Sequence, residues 1–555
     1  MTFDDFFRRA AGHQPDPALR RLAREGLPGE VEVPAGVPRT SIVLVWLWRR
    51  RYDQGHRRLI YALPRGAGVE PVAGDVVRWL AALDLTDRVG VHTVMAGAGE
   101  ADRRWRLDPH RPAIVIGAAD ALVSKALNRG YALSRAMYPI DFALVTNGAQ
   151  WIVDEPGLSP AATATLRRVV AFTRPAPGGS WPTAEPLALT CVSTAGAPRP
   201  AIVMRPHVRG IEREDLLAWF DTTDDVDVTP YVSDTGDFDV QVAWARWTPA
   251  GPDGRPAAEV RVPEQRWRHL VPSGDLRAFA ERVAVWWFDH AEGDWSRVLA
   301  GSPLRPGETV LVAARDGGCD PRTGFDPAGT DPVEPAPDVD PVPRQQEPTG
   351  WLSLDRHSAD VRDQVRALLT AIGPALPPGA AHAAVVAGHA HDLGKAHPTW
   401  QDALCALAGD PEPAWITAGR PWAKSGIDAP LRFRDDVAFR HELGSLLLLD
   451  GPLRGLLDGI ADPDLVRYLV LAHHGNLRVR IPPPGDVGAG DAVPVPATHG
   501  HPAGTLTVDQ DGIQETWTRT ATGLRDRYGP FLLAYLETLV RIADWRASAG
   551  LPEAR

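Results

Sequence analysis

The periodicity of apolar residues changes along the chain, and this change most constrains the fold. Between about residues 31 and 200, strand-like runs such as "RRLIYALP" and "PAIVIGA" alternate with helical stretches. Such alternation is typical of a parallel α/β sheet. From about residue 350 onward, apolar residues recur at helical spacing instead, as in "LVRYLVLAHHG". We therefore predict a multidomain protein with an N-terminal α/β lobe and a C-terminal all-α domain.

Three further segments complete the predicted organisation. Residues 1–30 have a helical pattern, and residues 201–323 carry short strand-like runs that predict a β-rich connecting region. Residues 324–348 are rich in Pro and Asp, which favours a linker or an extended loop. The α/β lobe then spans residues 31–200, and the helical domain spans residues 349–555.

Composition narrows the class of protein. The chain has 555 residues, 44% of them apolar, which predicts globular domains. A net charge of −11 excludes a surface uniformly coated for nucleic acid and leaves room for local basic patches. No apolar run is long enough to span a bilayer, and the N-terminus lacks the layout of a signal peptide. We expect a cytoplasmic protein with no membrane partner. The odd, widely spaced Cys191, Cys319 and Cys405 fit that expectation.

The stretch "HAHDLGKAHPTW", residues 389–400, concentrates side chains that can bind metals. His391 and Asp392 stand side by side after an apolar run, and buried polar groups of this kind need a partner that satisfies them. A metal ion is the obvious candidate. The chain has Lys only at positions 125, 395 and 424, so a Lys beside this pair is expected to be required there.

Other apolar helical patterns of this region supply further candidate ligands. The full set is His357, His391, Asp392, His441, His473, His474 and Asp544. Adjacent helical residues diverge by about 100°, so a His-Asp or His-His pair can face one centre. Seven ligands exceed the needs of one ion and suit two ions bridged by a carboxylate. Imidazole-rich sites favour Fe, Mn, Co, Ni or Zn over Mg. The histidines interpreted as merely packed or exposed are His382, His389, His397, His499 and His501.

With these motifs, residues 350–550 resemble the HD nuclease domain of the helicase–nuclease of type I CRISPR interference. That family has a first His, an "HDxGK" motif, a single His, an "HHG" pair and a final Asp in "ADxRAS", and each has a counterpart here. The resemblance implies that Asp392 bridges two ions. It assigns His357, His391 and Asp544 to one ion, and His441, His473 and His474 to the other. On chemical grounds, Lys395 is expected to neutralise a phosphate oxygen or to brace Asp392, and the alternative is a surface lysine near the end of the helix.

The same resemblance implies partners. They are single-stranded DNA, a crRNA-guided CRISPR surveillance complex and possibly a separate helicase acting in trans. Two ions held a few ångströms apart can activate water and stabilise charge on a phosphodiester, which is the chemistry of a nuclease.

Residues 31–200 resemble the first RecA-like lobe of the same family, but with an altered nucleotide site. "WIVDE" has the Walker B form and ends in Asp154 and Glu155. The expected Gly-x-Gly-Lys-Thr loop appears as "GVPRT", residues 36–40. Its Pro38 removes a backbone N–H that would cradle phosphate, and Arg39 replaces the lysine. We predict that this site does not use ATP, although Gly36, Arg39, Thr40, Asp154 and Glu155 occupy its positions.

Two segments after the Walker B motif bear on whether this chain has an ATP-driven helicase activity. Ser193 and Thr194 resemble the Ser-Ala-Thr motif that closes the first lobe, in altered order. The chain then passes directly into the connecting region, and no pattern of a second RecA-like lobe follows. An ATP-driven helicase activity of this chain is therefore not expected.

Three functions remain open from the sequence. The first is a metal-dependent endonuclease that cleaves single-stranded DNA in CRISPR antiviral defence. The second is an HD phosphohydrolase acting on nucleotides or cyclic dinucleotides, a class that often needs fewer histidines. The third is an inactive adaptor that docks to a surveillance complex, which the altered phosphate loop favours and the complete ligand set disfavours.

Overall fold

A computed structural model gives the fold of most of the chain, with side chains. It describes residues 1–51, 55–64, 68–94, 104–131, 133, 135–175, 179–196, 210–224, 226–233, 239–247, 249, 251–257, 268–289, 294–302, 304, 308–320, 324–333, 350–409, 413–427, 431, 433, 440–475, 477–481, 492–495, 504–507 and 510–554. None of the helices within these residues is both long and apolar enough to cross a membrane.

Strands and helices alternate through the N-terminal part, as the sequence predicts. The elements are α1 (Phe3–Ala11), α2 (Pro17–Glu25), β1 (Glu30–Val33), α3 (Ile42–Arg50), β2 (Arg58–Leu63), α4 (Val69–Ala82), β3 (Gly90–Val94), α5 (Arg104–Leu107), β4 (Ala113–Ala118), α6 (Ala119–Ala126), α7 (Tyr138–Thr146), β5 (Ala149–Asp154), α8 (Pro160–Ala171) and β6 (Leu187–Thr194). The first two helices begin at side-chain caps from Thr2 and Asp16, which satisfy backbone N–H groups of the first turn.

These strands form one parallel sheet in the order β1-β6-β5-β2-β4-β3. The predicted parallel α/β lobe is thus confirmed. Because every strand runs the same way, the carboxyl ends of neighbouring β1, β6 and β5 meet at one edge. That edge brings together the altered phosphate loop, Thr194 and the Asp154-Glu155 pair.

Each face of the sheet packs against a different set of helices. Along β2, Leu59 and Tyr61 face a core shared with α1 to α4, whereas Ile60 and Ala62 face the opposite core. This alternation follows from the two-residue period of a strand. The helices of residues 1–30 therefore cover one face of the α/β lobe.

The middle of the chain has a different sheet. Its elements are α9 (Arg213–Ala218), α10 (Thr229–Val232), β7 (Asp239–Ala245), β8 (Arg268–Pro272), α11 (Ser273–Ala280), β9 (Val285–Asp289), β10 (Asp294–Arg297), β11 (Thr309–Ala313), β12 (Cys319–Asp320) and β13 (Gly324–Phe325). The order β10-β9-β11-β7-β8 is antiparallel except for the β11–β7 pair. The predicted linker begins with β13, which pairs with β12, and its residues 334–348 lie outside the described residues.

The C-terminal part is dominated by helices. Its elements are β14 (Leu352–Ser353), α12 (Leu354–Ile372), α13 (Ala380–Ala390), α14 (Pro398–Cys405), α15 (Ala414–Ala418), β15 (Trp422–Lys424), α16 (His441–Asp450), α17 (Pro463–Ala472), β16 (Ala492–Val495), β17 (Gly504–Thr507), α18 (Gln510–Tyr528) and α19 (Pro530–Ser548). Helix α19 is buried along almost its whole length, as expected for a helix that is apolar all round.

The prediction of an all-α domain is corrected in one respect. Strand β14 pairs with β15, and β16 pairs with β17, each as a small antiparallel pair. These segments are only two to four residues long and lie in stretches interrupted by Pro and Gly. Such short runs carry too little periodicity to be recognised in the sequence.

The α/β lobe and the helical region share one continuous hydrophobic core. Helix α7 packs along α19, with the rings of Phe142 and Phe531 5.4 Å apart. Near the other end of α19, Nη1 of Arg546 donates to the carbonyl of Leu107 at 2.8 Å. The α/β lobe therefore fixes the position of the helix that carries Asp544.

Candidate metal centre

Five helical segments deliver the predicted ligands to one interior point. His357 lies in the second turn of α12, and His441 is the first residue of α16. The His391-Asp392 pair directly follows the end of α13. His473 and His474 directly follow α17, and Asp544 lies near the end of α19. The structure brings all seven predicted ligands together.

Asp392 lies between two groups of histidines. Its Oδ2 is 3.3 Å from Nε2 of His357 and 3.3 Å from Nε2 of His391. Its Oδ1 is 3.2 Å from Nε2 of His441 and 3.8 Å from Nε2 of His473. One carboxylate oxygen therefore faces each group, which is the arrangement that a bridging ligand requires.

Each group is compact enough for one ion. His357, His391 and Asp544 offer ligand atoms that all lie within 4.8 Å of one another. The same holds for a second group, which consists of Asp392, His441, His473 and His474. Within the groups, Nε2 of His357 is 3.1 Å from Oδ1 of Asp544, and the Nε2 atoms of His441 and His474 are 2.9 Å apart.

Several buried polar atoms of the cluster have no hydrogen-bond partner among the residues that the structure describes. They are both ring nitrogens of His357, Nε2 of His391, Oδ1 of Asp392 and Nε2 of His473. Buried polar atoms are almost always satisfied, so these demand a partner. Metal ions would satisfy the unpartnered Nε2 and Oδ1 atoms, because these atoms face the centre of the groups. The residues present thus fit a pair of divalent ions.

Backbone contacts orient the rings. Nδ1 of His391 is 2.9 Å from the carbonyl of Gly388, and Nδ1 of His473 is 2.6 Å from the carbonyl of Val470. A ring whose Nδ1–H donates to a carbonyl presents a bare Nε2, which is the form that ligates metals. These two contacts hold both rings with Nε2 towards Asp392.

A close helix contact holds the His-Asp pair against α16. A Cβ on Gly394 would lie 2.0 Å from the carbonyl oxygen of His441, so no other residue fits there. Oγ of Ser445 accepts from the Gly394 N–H and lies 2.8 Å from the carbonyl of His391. The glycine of the "HDLGK" motif therefore lets α16 approach the pair.

The electrostatics of the cluster favour ligand forms. Burial lowers the pKa of His473 and His474 well below their usual range. Burial opposes ionisation of Asp392 and Asp544, but neighbouring His and Lys side chains hold both pKa values well below the usual range. Neutral imidazoles, as at His473 and His474, and ionised carboxylates are the forms that bind metal ions. Burial opposes protonation of His391, but Asp392 and Asp544 outweigh it and raise its pKa, so His391 must release a proton to bind an ion.

Two lysines flank the carboxylates. Nζ of Lys395 donates to Oδ2 of Asp392 at 2.7 Å, and the side chain is buried. Nζ of Lys424 lies 3.7 Å from Oδ1 of Asp544 and donates to Ser548. Sequence reasoning did not identify Lys424 as a site residue. The signal that could have found it is the rarity of lysine in this chain.

The three described histidines among those interpreted as structural lie outside both ligand groups. His382 is exposed on α13, and His397 caps α14 by accepting from the N–H of Thr399. His389 is half-buried and lies outside both groups. His499 and His501 lie outside the described residues.

Four residues of the α/β lobe, three of them predicted at the altered nucleotide site or beside it, form a compact polar cluster around Arg39. The Arg39 guanidinium donates to Asp154, and its Nη1 lies 3.1 Å from Oε1 of Glu155 and 2.8 Å from Oγ1 of Thr194. Tyr61 donates to Asp154 at 3.1 Å. Burial raises the pKa of Asp154, and the bonds from Arg39 and Tyr61 only partly oppose this. Both carboxylates of the Walker B-like pair therefore contact a cation of the chain itself.

The other two residues predicted at this site lie in its loop. Gly36 has a φ of 88°, a conformation that glycine adopts without strain. Thr40 lies in a short 3-10 turn, Arg39–Ser41, which leads into α3. The loop therefore ends in a helix N-terminus, as a phosphate loop does, but Arg39 fills the space towards Asp154.

The fold and the site define a helical domain of the HD class. The family model described as Cas3, HD domain, matches residues 343–550. This match spans α12 to α19 and contains all seven predicted ligands. This match supports a Cas3-type HD domain of CRISPR systems over residues 343–550. No curated protein and no solved structure matches the chain.

Proposed function

We propose that this protein is a metal-dependent nuclease that cuts single-stranded DNA in CRISPR defence. The observation that carries the proposal is the position of Asp392, whose two carboxylate oxygens face two separate groups of ligands. Two bound ions supply Lewis-acid stabilisation of a phosphodiester and a site for water at neutral pH. The Cas3-type HD domain supports the CRISPR context.

Two sets of residues in this chain would each hold one ion. His357, His391 and Asp544 would hold one ion, and His441, His473 and His474 the other, with Asp392 shared. The ammonium of Lys395 keeps Asp392 ionised and positioned. The imidazole-rich donor set favours Mn, Fe, Co or Ni over Mg.

Access to the centre supports a single-stranded substrate. Three of the ligands, His357, His391 and His473, are fully buried. Two other ligands are partly exposed: the Asp544 side chain is 11% exposed, and His474 is half-buried. The Lys424 side chain beside Asp544 is 24% exposed. A phosphate must therefore reach a recessed point through a restricted opening. A flexible strand can do this, whereas a rigid duplex must first be opened.

The α/β lobe would act as a fixed support and not as a motor. Its Walker B-like carboxylates contact Arg39, and its shared core with the HD domain holds α19 in place. Strand opening would then come from a surveillance complex that displaces one DNA strand, or from a helicase acting in trans.

A cleavage assay on the full chain tests this proposal. Matched single-stranded, bubble and duplex DNA would be incubated with Mn²⁺, Co²⁺, Ni²⁺ or Mg²⁺, with and without ATP. We expect cutting of the single-stranded and bubble substrates, little cutting of the blunt duplex, and no effect of ATP.

Three results would redirect the proposal. Equal cutting of duplex would contradict the access argument. Turnover of a cyclic dinucleotide with none of the DNA would assign the chain to the HD phosphohydrolases instead. A chain that binds metal and cuts neither would support the adaptor alternative.

A further inference from the structure

Three tryptophans form an edge-to-face cluster beside the metal centre. The ring centroids of Trp351 and Trp422 are 5.5 Å apart, and Trp415 lies 6.1 Å from each of them. Trp415 is 56% exposed, although a large aromatic side chain is normally removed from water. Trp351 and Trp422 are half-buried. We name Trp351, Trp415 and Trp422 the tryptophan triad.

The triad is joined to the metal centre through β14 and β15. Trp351 directly precedes β14, which pairs with β15 and runs into α12, the helix of His357. Trp422 and Lys424 are the two ends of β15, with buried Ala423 between them. Alternation along a strand places residues two apart on the same face. One face of β15 therefore carries an aromatic ring and then an ammonium.

The ammonium lies where the surface meets the candidate ligands. Nζ of Lys424 is 3.7 Å from Oδ1 of Asp544 and is bonded to Ser548. It is thus placed to contact a phosphate close to the centre, while the triad offers rings to the bases further out. Aromatic rings combined with a cation are the usual elements of surfaces that bind single strands without sequence preference.

The frame behind the triad is held rigidly. Oε1 of Gln401 accepts from the N–H of Trp422 at 2.8 Å, and its Nε2 donates to the carbonyl of Lys395 at 2.6 Å. Nε1 of Trp422 donates to the carbonyl of Ile416 at 2.8 Å, which ties β15 to α15. Gln401 therefore links the strand of the triad to the "HDLGK" segment, and the exposed ring of Trp415 stands on a fixed base.

We infer that the tryptophan triad and Lys424 form the entry track for single-stranded DNA, with bases stacking on Trp415 and a phosphate contacting Lys424. This inference rests on the proposed nuclease function and adds to it the surface that receives the strand. It explains why an aromatic side chain is exposed beside a buried metal centre.

Binding measured without cleavage tests the inference. The full chain in EDTA would be titrated with a fluorescent single-stranded oligonucleotide and with an abasic strand of equal phosphate number. Trp415→Ala should weaken binding of the ordinary strand by about fivefold to a hundredfold, the range that one stacked base supplies, and leave the abasic strand unaffected. Trp415→Phe should retain most of the affinity.

Lys424→Gln should behave differently. It should weaken binding of both strands alike and reduce the slope of log affinity against log salt by about 0.7. Leu299→Ala removes another exposed apolar side chain, 63% exposed in the connecting region, and serves as the control that leaves both strands unaffected.

Several results would overturn the inference. They are equal affinities of Trp415→Ala and wild type for the ordinary strand, an equal loss on the abasic strand, and no binding of the ordinary strand by the wild type. Cleavage by the wild type together with unchanged binding by Trp415→Ala would contradict the inference alone. Binding that depends on Trp415 without any cleavage would contradict the nuclease proposal alone.

Discussion

Arg39 donates to Asp154 across 115 positions of sequence, at the edge of the parallel sheet formed by the carboxyl ends of its strands. Asp154 is buried, and the Arg39 side chain is 32% exposed. In a working motor the acidic pair faces Mg²⁺ and the attacking water. Here the same pair is bonded to a guanidinium of the chain, and Thr194 and Tyr61 complete the cluster.

The first prediction concerns ATP. The purified chain should hydrolyse ATP at no more than background rate, with or without DNA. The reasons are that Arg39 forms ion pairs with the carboxylates of Asp154 and Glu155, and that Pro38 lacks the backbone N–H that would bind phosphate. A phosphate-release assay measures this. DNA-stimulated turnover at ordinary helicase rates, abolished by Glu155→Gln, would show that the nucleotide site works.

The second prediction is that the Arg39 cluster contributes to stability. Arg39→Ala should lower the free energy of unfolding by about 1.5–3 kcal/mol, because buried Asp154 loses a charged hydrogen-bond partner. Urea denaturation of wild type and variant measures the difference. Arg168→Ala is the matched control, since the Arg168–Glu212 pair is about half exposed and should contribute less than about 1 kcal/mol. Equal losses in both variants would mean that the cluster is not a stabilising unit.

The third prediction links the α/β lobe to the His-His pair. Gly475 has a φ of 75°, and a Cβ there would lie 2.6 Å from the carbonyl oxygen of Ala136 and 2.7 Å from Nη1 of Arg541. Gly475→Ala should therefore displace the adjacent His474 and weaken binding of at least one metal ion. Metal content by elemental analysis measures this effect.

A second glycine serves as the control that separates the effect of backbone strain from the effect of the steric clash at Gly475. Gly459 has the same φ of 75°, but a Cβ there meets nothing within 4 Å. Gly459→Ala should lower the free energy of unfolding by about 1–2 kcal/mol through backbone strain alone. The metal content of this variant should be unchanged. Loss of metal in both variants would contradict the conclusion that contact with the α/β lobe positions His474.

The fourth prediction concerns acid stability. Burial alone would raise the pKa of Asp141, but Arg106 and Lys125 outweigh burial and lower it to about 2. A carboxyl whose pKa is lower in the folded state stabilises the fold above its unfolded value and loses that effect as pH falls. Ionised Asp141 should therefore contribute about 2 kcal/mol to the free energy of unfolding at neutral pH, and this contribution should disappear between about pH 4 and pH 2.

Urea denaturation of wild type and Asp141→Asn across pH 2–7 checks this prediction. The difference between the two should be largest at neutral pH and should shrink through that window. Asp526→Asn alters an exposed carboxylate, 59% exposed, and serves as the control. A difference that does not depend on pH would contradict the ionised Asp141.

Much of the fold follows from periodicity. Alternating strands and helices predicted the parallel sheet, and the apolar helical patterns placed His357, His441 and Asp544 on separate buried helices. Their convergence was predictable because each ligand stands on or beside an apolar face, and such faces must pack together. The division of the ligands into two groups came from a family resemblance, and the geometry is compatible with it.

Other relationships could not be predicted from the sequence. The contact between Arg39 and Asp154 depends on strand order, which periodicity does not determine. Trp422 and Lys424 lie on a three-residue strand, Trp415 lies on a five-residue helix, and Trp351 precedes a two-residue strand. These elements are too short for their periodicity to be recognised in the sequence. The sharing of one core by the α/β lobe and the HD domain was also not apparent, because apolar patterns do not say which faces meet.

The most direct test of the account is the metal content and nuclease activity of Asp392→Ala in the full chain. The account predicts two ions per chain in the wild type and the loss of at least one ion and of all single-strand cleavage in the variant, because Asp392 faces both groups. His382→Ala, which alters an exposed histidine on α13, should retain both ions and activity. An Asp392→Ala variant with wild-type metal content and wild-type cleavage would contradict the account.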